Sequence, residues 1–386
     1  MTQTADPEAI ARAGVAAWRA GDAQGARRQF EQVAAMGRAT PQLWLLLAQA
    51  RGACADPTGS EAALDHVLSA DARNLHALTM KGEAVLARGD ERGAVAYFEL
   101  ALTNAPPGTQ SPPDLIERLR RAEQAVAAAS ERFRTHLMQA LGDRGRGIAR
   151  FEEAIGIATR EQQVHPQMPT SFYYPRLAAI PFFEPSDFAW VAAIEAQVPA
   201  MRAELEGVMA QGGGFNPYVE AVAGRPNRGH ALLDDDSWSA FHLWRDGELS
   251  ANAARCPVTV AAVESAPVPR IAGRSPMVLF SILSGGTHIP AHNGMLNTRL
   301  ICHIPLIVPA DCRLRVGNET RTVEAGRAMI FDDSIEHEAW NDSEETRVVL
   351  LFEIWRPELD AAERQALTTM YEAIGTYDSA ASERSR

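Results

Sequence analysis

The first hundred or so residues of the chain repeat a pattern of small and large side chains every 34 positions. The equivalent residues form four sets, which are Ile10/Trp44/Leu78, Gly14/Ala48/Gly82, Ala26/Ser60/Ala94 and Phe30/Leu64/Phe98. Small residues in two of the sets allow paired helices to approach closely, and the large residues fill the seam between them. Three copies in register constrain the fold of this region more than any other feature does, because unrelated amphipathic helices would not keep a common period.

A period of this length, with turn signals at Gly21-Asp22 and Gly89-Asp90, resembles the tetratricopeptide repeat. The resemblance predicts an α-helical solenoid over residues 1–107, in which the middle copy is the most degenerate. Such a stack usually binds a peptide or a partner protein on its concave face, although it can also serve only as a spacer or a dimerisation arm.

The remaining chain divides into a helical connector and a β-rich part. Leu115, Leu119, Ala122, Val126 and Ala129 keep helical spacing, so residues 108–165 are expected to form connecting helices. One helix is expected at about 186–210, ended by Gly212-Gly213-Gly214. From about residue 230, short β-rich runs without intervening helices predict a sandwich or barrel. The predicted fold class is α+β multidomain: an α-helical repeat solenoid, then over residues 166–386 a double-stranded β-helix (jelly-roll or cupin-like) barrel with flanking helices and a C-terminal helix.

Composition excludes several classes of function. The net charge of −12 argues against general nucleic-acid binding, which needs an excess of basic side chains. Four scattered cysteines do not form a disulfide framework. No apolar run reaches the ~20 residues that span a bilayer, so no membrane association is expected. The start of the sequence shows no secretory signal, and we expect a cytoplasmic protein.

Four of the ten histidines fall between residues 288 and 337, and their clustering in a β domain suggests a metal site. They are His288, His292, His303 and His337. In extended chain, His288 and His292 lie roughly 13 Å apart, so at most one of them can bind the main metal ion. Asp332 and Asp333 are more simply explained as residues that hydrogen-bond the turn before His337.

Arg347 follows His337 by ten positions and opens the strand RVVLLFEIW. A guanidinium there would project into the same barrel mouth, where it could bind a carboxylate through two hydrogen bonds. Two histidines followed by such an arginine is the layout of non-haem iron oxygenases that use 2-oxoglutarate. An ion-pair role inside the fold is the alternative explanation for Arg347.

The segments HNGMLNTRLICHIPLIVP and VGNETRTVEAGRAMIFDDSIEHEAWNDSEETRVVLLFEIWRPEL resemble the aspartyl/asparaginyl β-hydroxylase family, as do FYYPRLAAIPFFEP and MVLFSILSGGTHIPAH. The resemblance covers about residues 170–360. It implies that His292 and His337 bind iron, and that Ser281 and Arg347 hold the distal carboxylate of 2-oxoglutarate. It also implies that His303 contacts the cosubstrate near the metal and that Arg299 is a basic residue of the pocket that binds the cosubstrate.

Two positions depart from the usual patterns. Most such oxygenases carry a third, carboxylate ligand two positions after the first histidine, and this chain has Gly294 there. The glycine is compatible with two kinds of enzyme. The β-hydroxylase family dispenses with that carboxylate, and iron-dependent halogenases have a small residue at this position. Ile301 stands where better-known family members have a second arginine, which leaves the choice between aspartate and asparagine open.

The resemblance implies an Fe(II)- and 2-oxoglutarate-dependent dioxygenase that uses O2 to hydroxylate the β-carbon of an aspartyl or asparaginyl residue. The repeats would help to bind the peptide or protein substrate. The alternatives are the same chemistry on a free or carrier-bound amino acid or a lipid acyl chain, halogenation, and a non-catalytic binding module built on the repeats.

Overall fold

The computed structural model describes residues 6–105, 111–221 and 231–383, and the chain divides into two compact units, Met1–Gln162 and Gln163–Arg386. The expected boundary between residues 107 and 108 lies outside the described residues. The two units are described in turn.

The first unit begins with three helical hairpins. Their helices are α1 (Pro7–Arg19) with α2 (Ala23–Ala35), α3 (Pro41–Ala53) with α4 (Pro57–Ala70), and α5 (Leu75–Ala87) with α6 (Glu91–Asn104). Successive hairpins start 34 residues apart in both their first and their second helices. The predicted helical repeat is therefore confirmed, with its period.

The turn inside each hairpin is built in the same way. An aspartate caps the second helix by accepting a hydrogen bond from the backbone N–H three residues later, and these aspartates are Asp22, Asp56 and Asp90. The residue before the cap has a left-handed backbone: φ is 81° at Gly21, 57° at Ala55 and 84° at Gly89. Because this conformation favours glycine, Ala55 accounts for the weaker turn signal of the middle copy.

Glycines in the outer repeats let the two helices touch. A Cβ atom on Gly14 would lie 2.5 Å from the ring of Phe30, and one on Gly82 would lie 2.4 Å from the ring of Phe98. Both rings are buried. The small and large positions of the repeat therefore meet across the helix seam, as the sequence predicts.

Two further helices complete the first unit, α7 (Pro113–Leu141) and α8 (Ala149–Ala158). Helix α7 packs against α5 and α6, with Leu115 and Ala122 buried. The helical spacing of residues 115–129 therefore identified a real helix.

The second unit is a sandwich of two antiparallel sheets. Its strands are β1 (Phe182–Phe183), β2 (Asn216–Pro217), β3 (Trp238–Arg245), β4 (Glu248–Leu249), β5 (Val278–Leu283), β6 (Thr287–His292), β7 (Arg299–Ile307), β8 (Cys312–Val316), β9 (Glu319–Thr322), β10 (Met329–Phe331), β11 (His337–Asn341) and β12 (Arg347–Trp355). The larger sheet has the order β1-β10-β7-β12-β5-β3-β2, with β4 paired to β3, and the smaller has the order β6-β11-β8-β9. This confirms the predicted jelly-roll architecture.

Helices flank the sandwich: α9 (Val191–Glu195), α10 (Val198–Ala210), α11 (Pro257–Glu264) and α12 (Ala361–Glu383). The single helix expected at about 186–210 is wrong, because a 3-10 turn at Pro185–Asp187 and the two helices α9 and α10 replace it. Pro199 lies in the first turn of α10, where its missing N–H costs nothing and where its ring favours a new helix start. In the part of the chain that is described, every helix is too short or too polar to cross a bilayer.

Strand β7 shows how the sequence alternation builds the second unit. Leu300, Cys302 and Ile304 are fully buried in the core between the larger sheet and its helices. Arg299, Ile301 and His303 point to the opposite face and line a cavity between the two sheets. The expected division of this strand into an apolar face and a polar face is confirmed.

Candidate functional site

A cavity of about 790 Å³ lies between the two sheets of the second unit. All six residues that the sequence singles out line it: Ser281, His292, Arg299, His303, His337 and Arg347. Their side chains come from four strands, β5, β6, β7 and β12, and from the start of β11. The sheets therefore bring together residues that the sequence spreads over 67 positions.

His292 and His337 are partners across the β6–β11 ladder, and their ring centroids are 4.1 Å apart. The Nδ1 atom of His292 is 2.8 Å from the carbonyl oxygen of Pro290, and that of His337 is 3.1 Å from the carbonyl oxygen of Ile335. Since a carbonyl only accepts, Nδ1 carries the proton in both rings and the lone pair is on Nε2. This anchoring is typical of metal-ligating imidazoles.

An irregularity in β6 separates His292 from His288. His337 pairs with His292, but Ala339 pairs with Ile289, so the ladder shifts register between these pairs. The bulge contains Pro290, which cannot donate to a ladder, and it reverses the alternation of inward and outward residues. His288 consequently stacks on Trp340, with ring centroids 4.9 Å apart, and contacts Glu338 at 3.0 Å. The expectation that the two histidines do not share one ion agrees with this geometry.

Burial favours the neutral form of two imidazoles of the cavity, His337 and His303. Desolvation, reinforced by the neighbouring His292, lowers the pKa of His337 to about 3. Burial also lowers the pKa of His303 well below its ordinary value, with Arg347 acting in the same direction. A neutral imidazole is the form that binds a metal ion.

Arg347 is a buried cation whose hydrogen-bonding capacity is not satisfied. It is 2% exposed, and within the described part of the chain its Nε and Nη1 atoms have no hydrogen-bond partner. Burial lowers its pKa to about 10, so the side chain is charged at neutral pH. Ser281 lies on the neighbouring strand β5, opposite Val349, and its Oγ accepts a hydrogen bond of 3.1 Å from the Trp238 indole. An anion with two oxygens would complete the hydrogen bonding of this guanidinium.

Arg299 lies in the same cavity but is held by two carboxylates. Its Nη1 donates to Glu353 at 2.7 Å and its Nη2 donates to Asp333 at 3.1 Å. Burial would lower the pKa of Arg299, but the two carboxylates raise it above its ordinary value. Both terminal nitrogens of Arg299 thus bind groups of the protein, whereas its buried Nε has no hydrogen-bond partner among the described residues. The cosubstrate contact expected of Arg299 stays a prediction.

Gly294 leaves room for a carboxylate that the chain supplies from another segment. A Cβ atom on Gly294 would lie 2.0 Å from Oδ2 of Asp333, and the backbone N–H of Gly294 donates to the Asp333 carbonyl at 2.6 Å. Burial raises the pKa of Asp333 to about 6, while Arg299 opposes the rise. Asp333 is thus an ion-pair residue of the cavity, which differs from the turn role expected for it.

Asp332 has the turn role that the sequence predicts. Its Oδ1 accepts from the backbone N–H and the hydroxyl of Ser334, and its Oδ2 accepts from Arg356 at 2.6 Å.

Sequence reasoning did not select Glu353, Trp238 or Tyr218, which also line the cavity. A signal existed for Glu353, since a charged residue inside the apolar run VVLLFEIW is rarely buried without a partner. Tyr218 and Trp238 stack with ring centroids 4.1 Å apart, a contact between distant segments that no local pattern indicates.

Across the described residues, histidine, cysteine, aspartate and glutamate side chains form no group of three or more that could hold a metal ion. A metal at this site would therefore take two protein ligands from the described chain, His292 and His337. This agrees with the glycine at position 294.

Comparisons with known proteins match the second unit. Residues 195–357 match the family model described as Aspartyl/Asparaginyl beta-hydroxylase. The chain is 38% identical over 138 residues to the human aspartyl/asparaginyl beta-hydroxylase, and the alignment covers 35% of this chain and 18% of that protein. It is 36% identical over 188 residues to the ornithine lipid ester-linked acyl 2-hydroxylase of Rhizobium tropici, and this alignment covers 48% of this chain and 63% of that protein.

A third relative is the aspartate beta-hydroxylase domain-containing protein 2 of Xenopus tropicalis, which is 28% identical over 236 residues. This alignment covers 58% of this chain and 61% of that protein. The chain thus spans less than two thirds of the length of each of these relatives. The segment that matches the family model includes the strands that carry the paired imidazoles and the buried guanidinium. Residues 195–357 of the second unit are therefore similar to the aspartyl/asparaginyl β-hydroxylase family.

Proposed function

We propose that the protein is an Fe(II)- and 2-oxoglutarate-dependent dioxygenase that hydroxylates an aspartyl or asparaginyl side chain of a peptide or protein. The observation that carries the proposal is the convergence of two anchored imidazoles and a partly unsatisfied, buried guanidinium in one cavity. A scaffold gains nothing from burying such groups together, since an unpaired buried charge destabilises the fold.

The cosubstrate fits the end of the cavity where Arg347 lies. The distal carboxylate of 2-oxoglutarate would accept hydrogen bonds from Nε and Nη1 of Arg347. The Ser281 hydroxyl would donate to the same carboxylate, while the Ser281 oxygen accepts from the Trp238 indole. His303 is buried in the same wall, with its ring 5.0 Å from that of Phe331. Its neutral side chain would contact the cosubstrate without repelling it.

The metal fits the two imidazoles. His292 and His337 would bind Fe(II) through Nε2, and the carbonyls of Pro290 and Ile335 would hold the rings in place. When bound, the metal and cosubstrate supply the oxidising chemistry, in which O2 gives one oxygen atom to succinate, formed with release of CO2, and the other to the substrate C–H bond. The residues of the chain bind, orient and desolvate the reactants.

The helical repeats support a peptide or protein as the substrate. Stacked helical hairpins form an extended surface that commonly binds polypeptides. We propose that the first unit binds the substrate protein or a partner.

A lipid acyl chain is the second candidate, and the similarity to the Rhizobium tropici acyl 2-hydroxylase favours it. Halogenation is disfavoured by Asp333, because its carboxylate occupies the space beside Gly294 that a halide would need. A purely non-catalytic role is disfavoured by the unsatisfied nitrogens of Arg347.

The experiment is to measure succinate formation from 2-oxoglutarate, with product oxidation followed as a mass gain of one oxygen atom. His292→Ala and His337→Ala should abolish succinate formation. Arg347→Ala should mainly raise the 2-oxoglutarate concentration that is needed. Wild-type turnover in either histidine variant would contradict the proposal.

A further inference from the structure

The cavity has two polar ends of opposite character. Arg347 and Glu353 both lie on the inner face of β12 and line the cavity. They are six residues apart, which is roughly 20 Å along a strand. Arg347 gives one end an unsatisfied cation, and Glu353 belongs to a cluster at the other end. A bound reactant therefore lies near a positive charge at the Arg347 end and near carboxylates at the Glu353 end.

The cluster at the second end holds more carboxylates than guanidinium groups. Arg299 is bound by Glu353 at 2.7 Å and by Asp333 at 3.1 Å, and all three residues are buried. With both carboxylates ionised the cluster carries a formal charge of −1. The backbone N–H of Met277 also donates to Glu353, at 3.2 Å, and stabilises the ionised form.

Asp333 offers an acceptor that nothing in the fold uses. Its Oδ1 atom is buried and has no hydrogen-bond partner among the described residues, although the residue lines the cavity and is 5% exposed. Buried acceptors are almost always satisfied, so this atom indicates a donor that arrives with a ligand. A carboxylate entering here could accept a hydrogen bond from Nε of Arg299, which is also buried without a partner among the described residues, but it would face the Asp333 charge and leave Oδ1 of Asp333 unsatisfied.

Besides Arg299 and Arg347, the arginines that line the cavity in the described part of the chain contact other groups. Arg245 pairs with Glu220 at 3.0 Å, and the guanidinium of Arg274 lies 4.4 Å from the centre of the Tyr371 ring. Ile301, on the same face as Arg299, adds an apolar wall.

We infer that the substrate side chain entering this end is a hydrogen-bond donor without negative charge, so that the enzyme prefers an asparaginyl carboxamide to an aspartyl carboxylate. The inference rests on the proposed function. The carboxamide NH2 group donates to Oδ1 of Asp333, which an aspartyl side chain cannot do at neutral pH. The excess carboxylate of the cluster then acts as a specificity device that repels aspartate.

The test uses two randomised peptide libraries that differ only at the central residue, Asn in one and Asp in the other. The full-length protein is incubated with Fe(II), 2-oxoglutarate and O2, and the gain of one oxygen atom at the central residue is measured. We expect at least tenfold more oxidation in the Asn library. Equal oxidation, greater oxidation of the Asp library, or oxidation of neither library would overturn the inference.

Metal-dependent binding of 2-oxoglutarate, measured without peptide, separates this inference from the proposed function. If binding is absent, the proposed function fails. If binding is present and Asp is oxidised as well as Asn, only the inference fails.

Glu353→Gln tests the origin of the preference, because it removes one carboxylate from Arg299 and keeps the shape. It should raise the ratio of Asp to Asn oxidation at least tenfold. Asp333→Asn should shift the ratio in the same direction and serves if Glu353→Gln does not fold. The matched control is Asp342→Asn, which removes a half-exposed carboxylate paired with Arg313 and should leave the ratio unchanged. A loss of both activities at constant ratio in both cavity variants would show a merely structural cluster and overturn the inference.

Discussion

The carboxylate of Asp333 occupies the place where a side chain at position 294 would begin, with Oδ2 2.0 Å from the Cβ position of Gly294. The glycine and the aspartate come from segments 39 positions apart. The space that a side chain at position 294 would fill is thus taken by a carboxylate from elsewhere in the chain. That carboxylate pairs with Arg299.

Gly294→Ala should destabilise the protein by about 1–3 kcal/mol, because the added methyl group displaces the buried Asp333 carboxylate. In the Asp333→Ala background, Gly294→Ala should lower the free energy of unfolding by a smaller amount. The double-mutant cycle should therefore show a coupling of at least about 0.5 kcal/mol. Denaturant unfolding measures the free energies. Gly207→Ala is the control, since a Cβ there has no neighbour within 4 Å. Strict additivity would contradict the packing described.

Arg347→Met should stabilise the protein without cosubstrate by about 1 kcal/mol or more, because it replaces a buried and incompletely hydrogen-bonded charge with an apolar chain. The same variant should lose 2-oxoglutarate binding, which calorimetric titration measures. A gain in stability with a loss of binding is typical of a functional residue.

Arg356→Met is the matched control, since Arg356 is as deeply buried but is paired with Asp332 and Glu358. This change should lower the free energy of unfolding by about 3–5 kcal/mol, because it leaves buried carboxylate charge unpaired. If Arg347→Met destabilised the protein to the same extent, Arg347 would be a structural ion-pair residue.

Gly82→Ala should destabilise the repeat region by about 1–3 kcal/mol, since the new methyl group would lie 2.4 Å from the Phe98 ring. Helix propensity alone would predict a small gain in stability from this change. Gly52→Ala is the control within the same unit, because its methyl group would meet Ser60 at an ordinary 3.7 Å. Thermal unfolding followed by circular dichroism checks both variants, and equal effects would contradict the close helix contact.

Acidification should destabilise the protein partly through His242. Burial, with Arg245 nearby, lowers the pKa of His242, while Glu220 and Asp246 oppose the shift, and its Nδ1 atom is buried without a partner. Because the unfolded state then binds more protons below about pH 6.5, the free energy of unfolding decreases as the pH falls through that range. His242→Gln should flatten the dependence of the melting temperature on pH between 7.5 and 5.5. An unchanged slope would contradict this role.

Local patterns predicted the elements better than the contacts between them. The 34-residue period placed the helices of all three hairpins, and the alternation in 299–306 placed His303 towards the cavity and Cys302 away from it, in the core. Both rest on interactions near in sequence. The division of the helix expected at 186–210 followed from Pro199, which a reading based only on apolar spacing overlooks.

Pairings over long sequence distances could not be derived in this way. The ion pairs of Arg299 join β7 to Asp333 and to Glu353, and the bulge at Pro290 reverses the expected alternation between His288 and His292. Each depends on strand register, which tertiary packing determines. For this reason the position of Arg299 in the cavity was predicted, but its partners were not.

The central claim is that the imidazoles of His292 and His337 hold a ferrous ion next to the 2-oxoglutarate bound by Arg347. The most direct measurement is an anaerobic titration of 2-oxoglutarate with and without Fe(II) into the wild type, His292→Ala and His288→Ala. We expect metal-dependent binding of 2-oxoglutarate in the wild type and in His288→Ala, because the His288 ring stacks on Trp340 outside the cavity. In His292→Ala we expect binding that no longer depends on the metal. Unchanged metal-dependent binding in His292→Ala, or wild-type binding of equal strength with and without Fe(II), would contradict the proposed iron site.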